Sequence, residues 1–289
     1  MQVQKNGITL GVVSSSSPVP QKAVKTGIKE LENLGFNFVI SPSLYEEERF
    51  LAGTDESRIA ELYAMYENPS VTYIVQAAGG YGTTRLLDKI DWERIKKNPK
   101  IMIGLSDTTA LQNAIFAKTG MPSYTGFIVK KRFTDYEVPQ TLMNLLTHKN
   151  VEYELQGNKE ATATGTMLGG CLTLIDALLG TPYMPDVTGA ILVLEDVREK
   201  PYVIDRLLSH LELAGVFDKV SAVVFGHFLD CESTDVADGT IEEVLDEWKK
   251  RIKKPVFTDL NYGHQYGSEV FPIGLTGTIE NNKLTIQVK

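Results

Sequence analysis

A serine stands where an apolar run gives way to a helical pattern. Ile101-Met102-Ile103 leads into Gly104-Leu105-Ser106-Asp107-Thr108-Thr109, and Ala110-Leu111-Gln112-Asn113-Ala114-Ile115-Phe116 follows. A strand-to-helix turn of this kind presents a hydroxyl at the carboxyl edge of a sheet. The first amides of the helix then point at whatever the hydroxyl attacks. That is the placement of a serine nucleophile. Ser-Asp-Thr before a helix is also an ordinary N-cap, and this stretch alone leaves both readings open.

A serine attacks only when a base takes its proton, and a carboxylate commonly fixes the tautomer of that base. Open α/β sheets bind ligands at the carboxyl ends of their strands. Glu195 follows a predicted strand at Ala190–Leu194, and His264 lies in a glycine-flanked loop after Val256-Phe257. Together with Ser106 they make a nucleophile, an orienting acid and a base. Glu195-Asp196 could equally be a solvated turn.

The chain has four histidines. His148 sits at a helix end beside Lys149, and His210 lies inside a helix. His227 has Asp230, Cys231 and Glu232 nearby, but no second histidine or cysteine pair completes a zinc pattern. His264 has the loop freedom to reach across a domain interface and is the preferred base.

A second post-strand turn, Gly79-Gly80-Tyr81-Gly82, lacks the Gly-Lys-Ser/Thr of a Walker loop. Its glycines let backbone approach a ligand, and their amides could form an oxyanion hole; a tight turn is the bland alternative. The Ser14–Ser17 run after the first strand reads as a binding loop or as a soft connection.

The elements that must position these residues alternate. Strands are predicted at Ile8–Val13, Asn37–Ile40, Val71–Ala77 and Lys100–Ile103. Helices are predicted at Gln21–Leu34, from Thr54 or Asp55 to Tyr66, and from the serine turn to Lys118. This alternation argues for a parallel sheet covered by helices, flavodoxin- or Rossmann-like. Lys130-Lys131-Arg132-Phe133 reads as basic surface loop and Val138–His148 as a helix. The nucleophile domain is placed at 1–150, a linker at 151–165 and a smaller mixed α/β domain at 166–289. In the latter, Leu172–Leu179, Tyr202–Ala214 and Ile241–Arg251 read as helices and Val220–Phe225 as a strand. Asn281-Asn282 between alternating apolar residues signals a hairpin.

With 289 residues, 43% of them hydrophobic, the composition is globular, and a net charge of -8 argues against nucleic acid and anionic membrane surfaces as partners. No apolar run is long enough to span a bilayer. Met1–Gly7 lacks the order of a signal peptide. Two cysteines make no disulfide framework, so a soluble cytoplasmic protein is expected.

Taken in order, the motifs resemble the LD-carboxypeptidases, a serine peptidase family that also holds the microcin-immunity peptidases. The resemblance rests first on Gly79-Gly80-Tyr81-Gly82 with Arg85-Leu86-Leu87 and Asp91, and on Gly104-Leu105-Ser106-Asp107. It continues through Gly169-Gly170, Leu172-Thr173, Gly180-Thr181 with Pro185, Leu194-Glu195-Asp196, Asp205-Arg206-Leu207-Leu208, Phe225-Gly226 and Gly263-His264. It covers nearly the whole chain.

The resemblance implies a catalytic triad of Ser106, Glu195 and His264, the serine from the first domain and its partners from the second. It implies an oxyanion hole from backbone amides of Asp107 and the Gly79-Gly80 turn. It also implies hydrolysis of the L,D-amide before the terminal D-alanine of a murein tetrapeptide, without metal or cofactor, and a possible homodimer. The microcin-immunity alternative would cut a peptidyl-nucleotide amide with the same triad. A non-catalytic binding protein with two α/β domains is a more distant rival. The chain departs from the family at Ala78, where arginine is frequent, and at Cys171, where asparagine is common. Thr108 stands where a Gly-x-Ser-x-Gly elbow needs its last glycine.

Overall fold

Four- and five-residue apolar runs separated by amphipathic stretches fold here as parallel strands joined by helices. The computed structural model describes residues 7–130 and 138–288. The chain divides into two units, Met1–Val138 and Pro139–Lys289.

The first unit contributes β1 (Thr9–Val13), β2 (Asn37–Ile40), β3 (Tyr73–Gln76), β4 (Ile101–Gly104) and β5 (Ser123–Thr125). They pair in the order β2-β1-β3-β4-β5, all parallel. The order reverses between β1 and β3, and the carboxyl edge at such a switch point is where open α/β sheets bind ligands. The helices are α1 (Gln21–Asn33), α2 (Asp55–Glu67), α3 (Trp92–Lys96) and α4 (Thr108–Thr119). The Thr54 hydroxyl caps α2 by accepting from Ser57 N. Every residue of α4 from Thr108 to Ile115 is buried, so this helix is packed on all sides through its first two turns. The basic Lys131-Arg132-Phe133 stretch lies outside the described residues.

The second unit carries α5 (Gln140–Leu146), β6 (Val151–Glu154), β7 (Ala163–Cys171), α6 (Leu172–Leu178), β8 (Ile191–Val197), α7 (Pro201–Leu213), α8 (Val216–Lys219) and β9 (Ala222–Leu229). It continues with α9 (Ile241–Arg251), β10 (Val256–Phe257), β11 (Phe271–Ile273), β12 (Thr276–Glu280) and β13 (Lys283–Ile286). Its seven-stranded sheet runs β10-β9-β8-β7-β12-β13-β6. The β7 to β10 half is parallel, and β12, β13 and β6 add antiparallel. Asn281 and Asn282 both take left-handed φ, 51° and 61°, which closes the β12–β13 hairpin as the sequence signalled.

Three features differ from the sequence reading. The units part at 138/139, ahead of the 151–165 stretch expected as linker. Residues 151–154 are the edge strand β6, with Val151 and Tyr153 buried and Glu152 and Glu154 exposed; the outward glutamates made it look like linker. The second unit is therefore not the smaller one. β7 was not anticipated as a strand because glycines dilute its apolar pattern. Those glycines serve close approach: a Cβ on Gly165 would lie 2.0 Å from Gly189 O, and one on Gly169 would lie 1.9 Å from Val193 O. Among the described residues no helix is long and apolar enough to cross a membrane.

Gly169 also has φ +121°. Gly169→Ala should therefore lose about 3 kcal/mol or more of unfolding free energy in urea titrations, through steric overlap with β8 and backbone strain.

On α2, Glu61 is buried and accepts from Ser14 N at 2.8 Å. Burial pushes its carboxyl up from 4.5 to about 7. Between those values the folded chain holds a proton that the unfolded chain has released, so stability falls as pH rises through the window. In urea titrations run from pH 4 to pH 8 the parent should lose on the order of 3 kcal/mol through this group, and Glu61→Gln should abolish that slope.

Candidate active site

Ser106 lies two residues past the end of β4, and its backbone is left-handed, φ 68°. It is the only serine among the described residues with positive φ. A non-glycine residue in that region is strained, and strain of this kind at a strand-to-helix turn projects a side chain out of the turn. Leu105 and Asp107 are buried, whereas Ser106 is part-exposed. The N-cap of α4 is Asp107, one residue later, so the left-handed conformation at Ser106 is not that of a helix cap.

The Gly79-Gly80 turn after β3 lies against this serine. A Cβ on Gly79 would sit 2.8 Å from Ser106 Cβ and 3.2 Å from its Oγ, so only a glycine fits. Gly80 has φ +121°, and a Cβ there would meet Ser17 Oγ at 2.3 Å. The turn thus brings bare backbone beside the hydroxyl. Exposed Tyr81 packs edge-on against exposed Phe50, their ring centroids 5.6 Å apart.

The Ser14–Ser17 run, read from sequence as a binding loop or a soft connection, is a junction. Ser14 to Ser16 are buried. Ser15 N donates to Gln76 Oε1, and Gln76 Nε2 donates to Ser15 Oγ. Ser15 O accepts from Arg58 Nη1 at 2.6 Å. Ser16 Oγ donates to Asp107 Oδ2 at 2.7 Å, and Ser17 Oγ accepts from Tyr81 N at 3.0 Å. Sequence reasoning missed Arg58, Glu61 and Gln76 as supports of this loop. The available signal was four consecutive serines leaving the strand at the switch of sheet order.

In the second unit the expected acid and base meet. His264 Nδ1 lies 2.7 Å from Glu195 Oε2, with Glu195 fully buried and His264 6% exposed. β8 and β9 make room for this pair by a bulge. Leu194 faces Phe225 and Asp196 faces Phe228, so Gly226 and His227 together oppose the single Glu195. A Cβ on Gly226 would lie 2.5 Å from Tyr262 O and 3.3 Å from Glu195 Cβ. His264 is carried by Gly263, whose φ is +145° and whose N donates to Ser268 Oγ. Buried Tyr262, edge-on to Phe271 at 4.6 Å, anchors the loop. A histidine held through Nδ1 by a carboxylate is oriented to exchange protons through Nε2.

The other histidines are placed elsewhere. His210 Nδ1 meets Asp176 Oδ1 at 2.7 Å on the exposed side of α7, and His148 and His227 are exposed. Asp196, next to Glu195, does structural work: its Oδ2 accepts from Thr173 N and Thr173 Oγ1 at the start of α6. Cys171 pairs in register with Glu195 and donates its thiol to Asp196 Oδ1. Burial, with Asp196 and Glu195 beside it, pushes that thiol well above its ordinary range, which keeps it protonated. Among the described residues no group of three or more histidine, cysteine or acidic side chains is spaced to hold a metal ion.

Residues 10–126 match the LD-carboxypeptidase N-terminal domain, and residues 164–279 match the LD-carboxypeptidase C-terminal domain. The murein tetrapeptide carboxypeptidase of Pseudomonas aeruginosa is 28% identical, across 95% of this chain and 94% of that protein. The microcin C7 self-immunity protein MccF of Escherichia coli is 29% identical, across 98% of this chain and 93% of that protein. The crystal structure of muramoyltetrapeptide carboxypeptidase from Oxalobacter formigenes superposes with a TM-score of 0.85 at 28% identity, covering 96% of this chain and 97% of that one. With matches to both domains in order and over nearly its full length, the chain belongs to the LD-carboxypeptidase family.

Proposed function

We propose that this protein is a serine carboxypeptidase that hydrolyses the L,D-amide bond before a terminal D-alanine of murein tetrapeptides. The observation that carries the reading is the strained, left-handed Ser106, seated against the Gly79 backbone in a chain of this family. Ser106 Oγ attacks the amide carbonyl while His264 Nε2 accepts its proton. Glu195 holds the imidazole and stabilises the imidazolium that forms. Amides of the Gly79-Gly80 turn and of Asp107 receive the negative charge that develops on the carbonyl oxygen. The imidazolium then protonates the departing amine of D-alanine. Water, deprotonated by the same histidine, releases the acyl group from Ser106. Recycling of murein fragments inside the cell would place the enzyme in the cytoplasm.

A peptidyl-nucleotide amidase would use the same three residues. The exposed Phe50–Tyr81 pair favours it, because two half-exposed rings beside the glycine turn offer a stacking surface for a nucleobase. D-alanine has no ring to place there. Parallel assays on a murein tetrapeptide and on an aminoacyl sulfamoyl nucleoside separate the two substrates.

Ser106→Ala should lower D-alanine release by about 10,000-fold without lowering the melting temperature; near-parental release would rule out the mechanism. Gly79→Ala should lower kcat by roughly 100-fold with KM changed by no more than a few fold, because its methyl group displaces Ser106 from its attacking position. Steady-state kinetics on the tetrapeptide read both parameters.

A further inference from the structure

Asp107 occupies the N-cap of α4, yet its side chain makes no capping hydrogen bond to that helix. Aspartate at an N-cap ordinarily accepts from the second or third amide of its helix. Here the carboxylate turns away. Its Oδ2 accepts from Ser16 Oγ at 2.7 Å and from Thr83 N at 2.9 Å. Its backbone carbonyl accepts from Thr83 Oγ1 at 2.6 Å. The side chain is buried, with 2% of the residue exposed. A buried carboxylate is costly without such donors, and bonds to an ionised acceptor are the stronger kind.

These contacts close a ring. Ser16 belongs to the loop after β1, and Thr83 opens the 3-10 turn (Thr83–Leu86) that follows the glycine turn. The glycine turn is itself tied to the first loop through Tyr81 N and Ser17 Oγ. Gly79 in turn abuts Ser106, the neighbour of Asp107. Three loops from three strands therefore meet around Ser106, and one carboxylate oxygen joins two of them to the residue beside it. That oxygen receives two donors from two different loops and so acts as a fixed acceptor between them.

We propose that the Asp107 carboxylate is a positioning residue: through Ser16 and Thr83 it fixes the Gly79-Gly80 amides against the Ser106 hydroxyl. The proposal rests on the reading of Ser106 as nucleophile and adds to it a function for the neighbouring side chain. Asparagine at 107 keeps the shape but loses the charge: with its amide oxygen in the Oδ2 place it can meet Ser16 and Thr83 only as a neutral, weaker acceptor. Alanine at 16 removes one of the two side-chain ties and leaves Asp107 in place.

The test uses the full chain and the variants Asp107→Asn, Ser16→Ala and their double. Three quantities are read: the rate constant for labelling of Ser106 by a fluorophosphonate, kcat and KM for D-alanine release, and the melting temperature. Asp107→Asn should lower both the labelling rate and kcat by roughly 10- to 100-fold with KM within about threefold. Ser16→Ala should lower them by about three- to tenfold, and the double variant should be no worse than Asp107→Asn. A merely structural role would instead lower the melting temperature and reduce activity only in proportion to the folded fraction. If Asp107→Asn does not fold, Ser16→Ala decides. Unchanged labelling and kcat in a folded variant, additive losses in the double, or a rise in KM alone would overturn the proposal. Absence of labelling in the parent would count first against Ser106 as nucleophile, and this proposal would fall with it.

Discussion

The loop leaving β1 is buried, and buried backbone must find partners. No strand or helix supplies them at Ser14 to Ser17, because the chain there has left the sheet and has not reached α1. The backbone partners come from other elements: Glu61 and Arg58 on α2, Gln76 at the end of β3 and the Ala52 amide, while Asp107 at the start of α4 takes the Ser16 hydroxyl. Satisfying one loop thus fixes the spacing of three strand ends. The left-handed conformation at Ser106 persists because its surroundings are over-determined in this way, which is the condition under which local strain survives folding.

The electrostatics behind the loop follow the same logic. Arg58 is buried and bridges Ser15 O and Gly82 O while meeting Asp55 Oδ1 at 2.5 Å. Asp55 also binds Arg85 and Lys89. Burial alone would raise the Asp55 carboxyl, but Arg85, Lys89 and Arg58 outweigh it and hold it far below the usual carboxylate range. Removing one member of such a cluster leaves uncompensated charge, so the group acts as a unit. It holds the glycine turn through Gly82 O.

Much of this was legible in the sequence, for reasons that particular residues make plain. The strand at Ile101–Ile103 and the helix beyond Ser106 were visible because an apolar run and a helical pattern meet there without interruption. Glu195 and His264 could be singled out because each was expected just after a strand; Glu195 falls inside β8 instead, two residues before its end, and lies 2.7 Å from His264. The missing pieces share a cause. β7 has glycines where a strand normally shows branched side chains, since Val193 of β8 and Gly189 ahead of it pack too close for a Cβ. The run of four serines carries no hydrophobic period, so its burial has no local signature; it depends on Glu61, Gln76 and Asp107, up to 91 residues away. Long-range polar pairing leaves no spacing rule in one sequence.

The bulge opposite Glu195 has a consequence for chain length. Successive residues of a strand face opposite sides, and β8 spends two consecutive acids on two different tasks. Glu195 turns to His264, and Asp196 turns to Thr173 and Cys171. The assignment is one of parity: odd and even positions of β8 address different layers. Gain of one residue ahead of Glu195 would set a leucine against the imidazole and point the glutamate at α6, and loss of one would hand the imidazole to an aspartate, one methylene shorter. In this fold the number of residues in β8 is thus as much a part of the Glu195–His264 pairing as their identity, and the length variation that loops tolerate has no counterpart there.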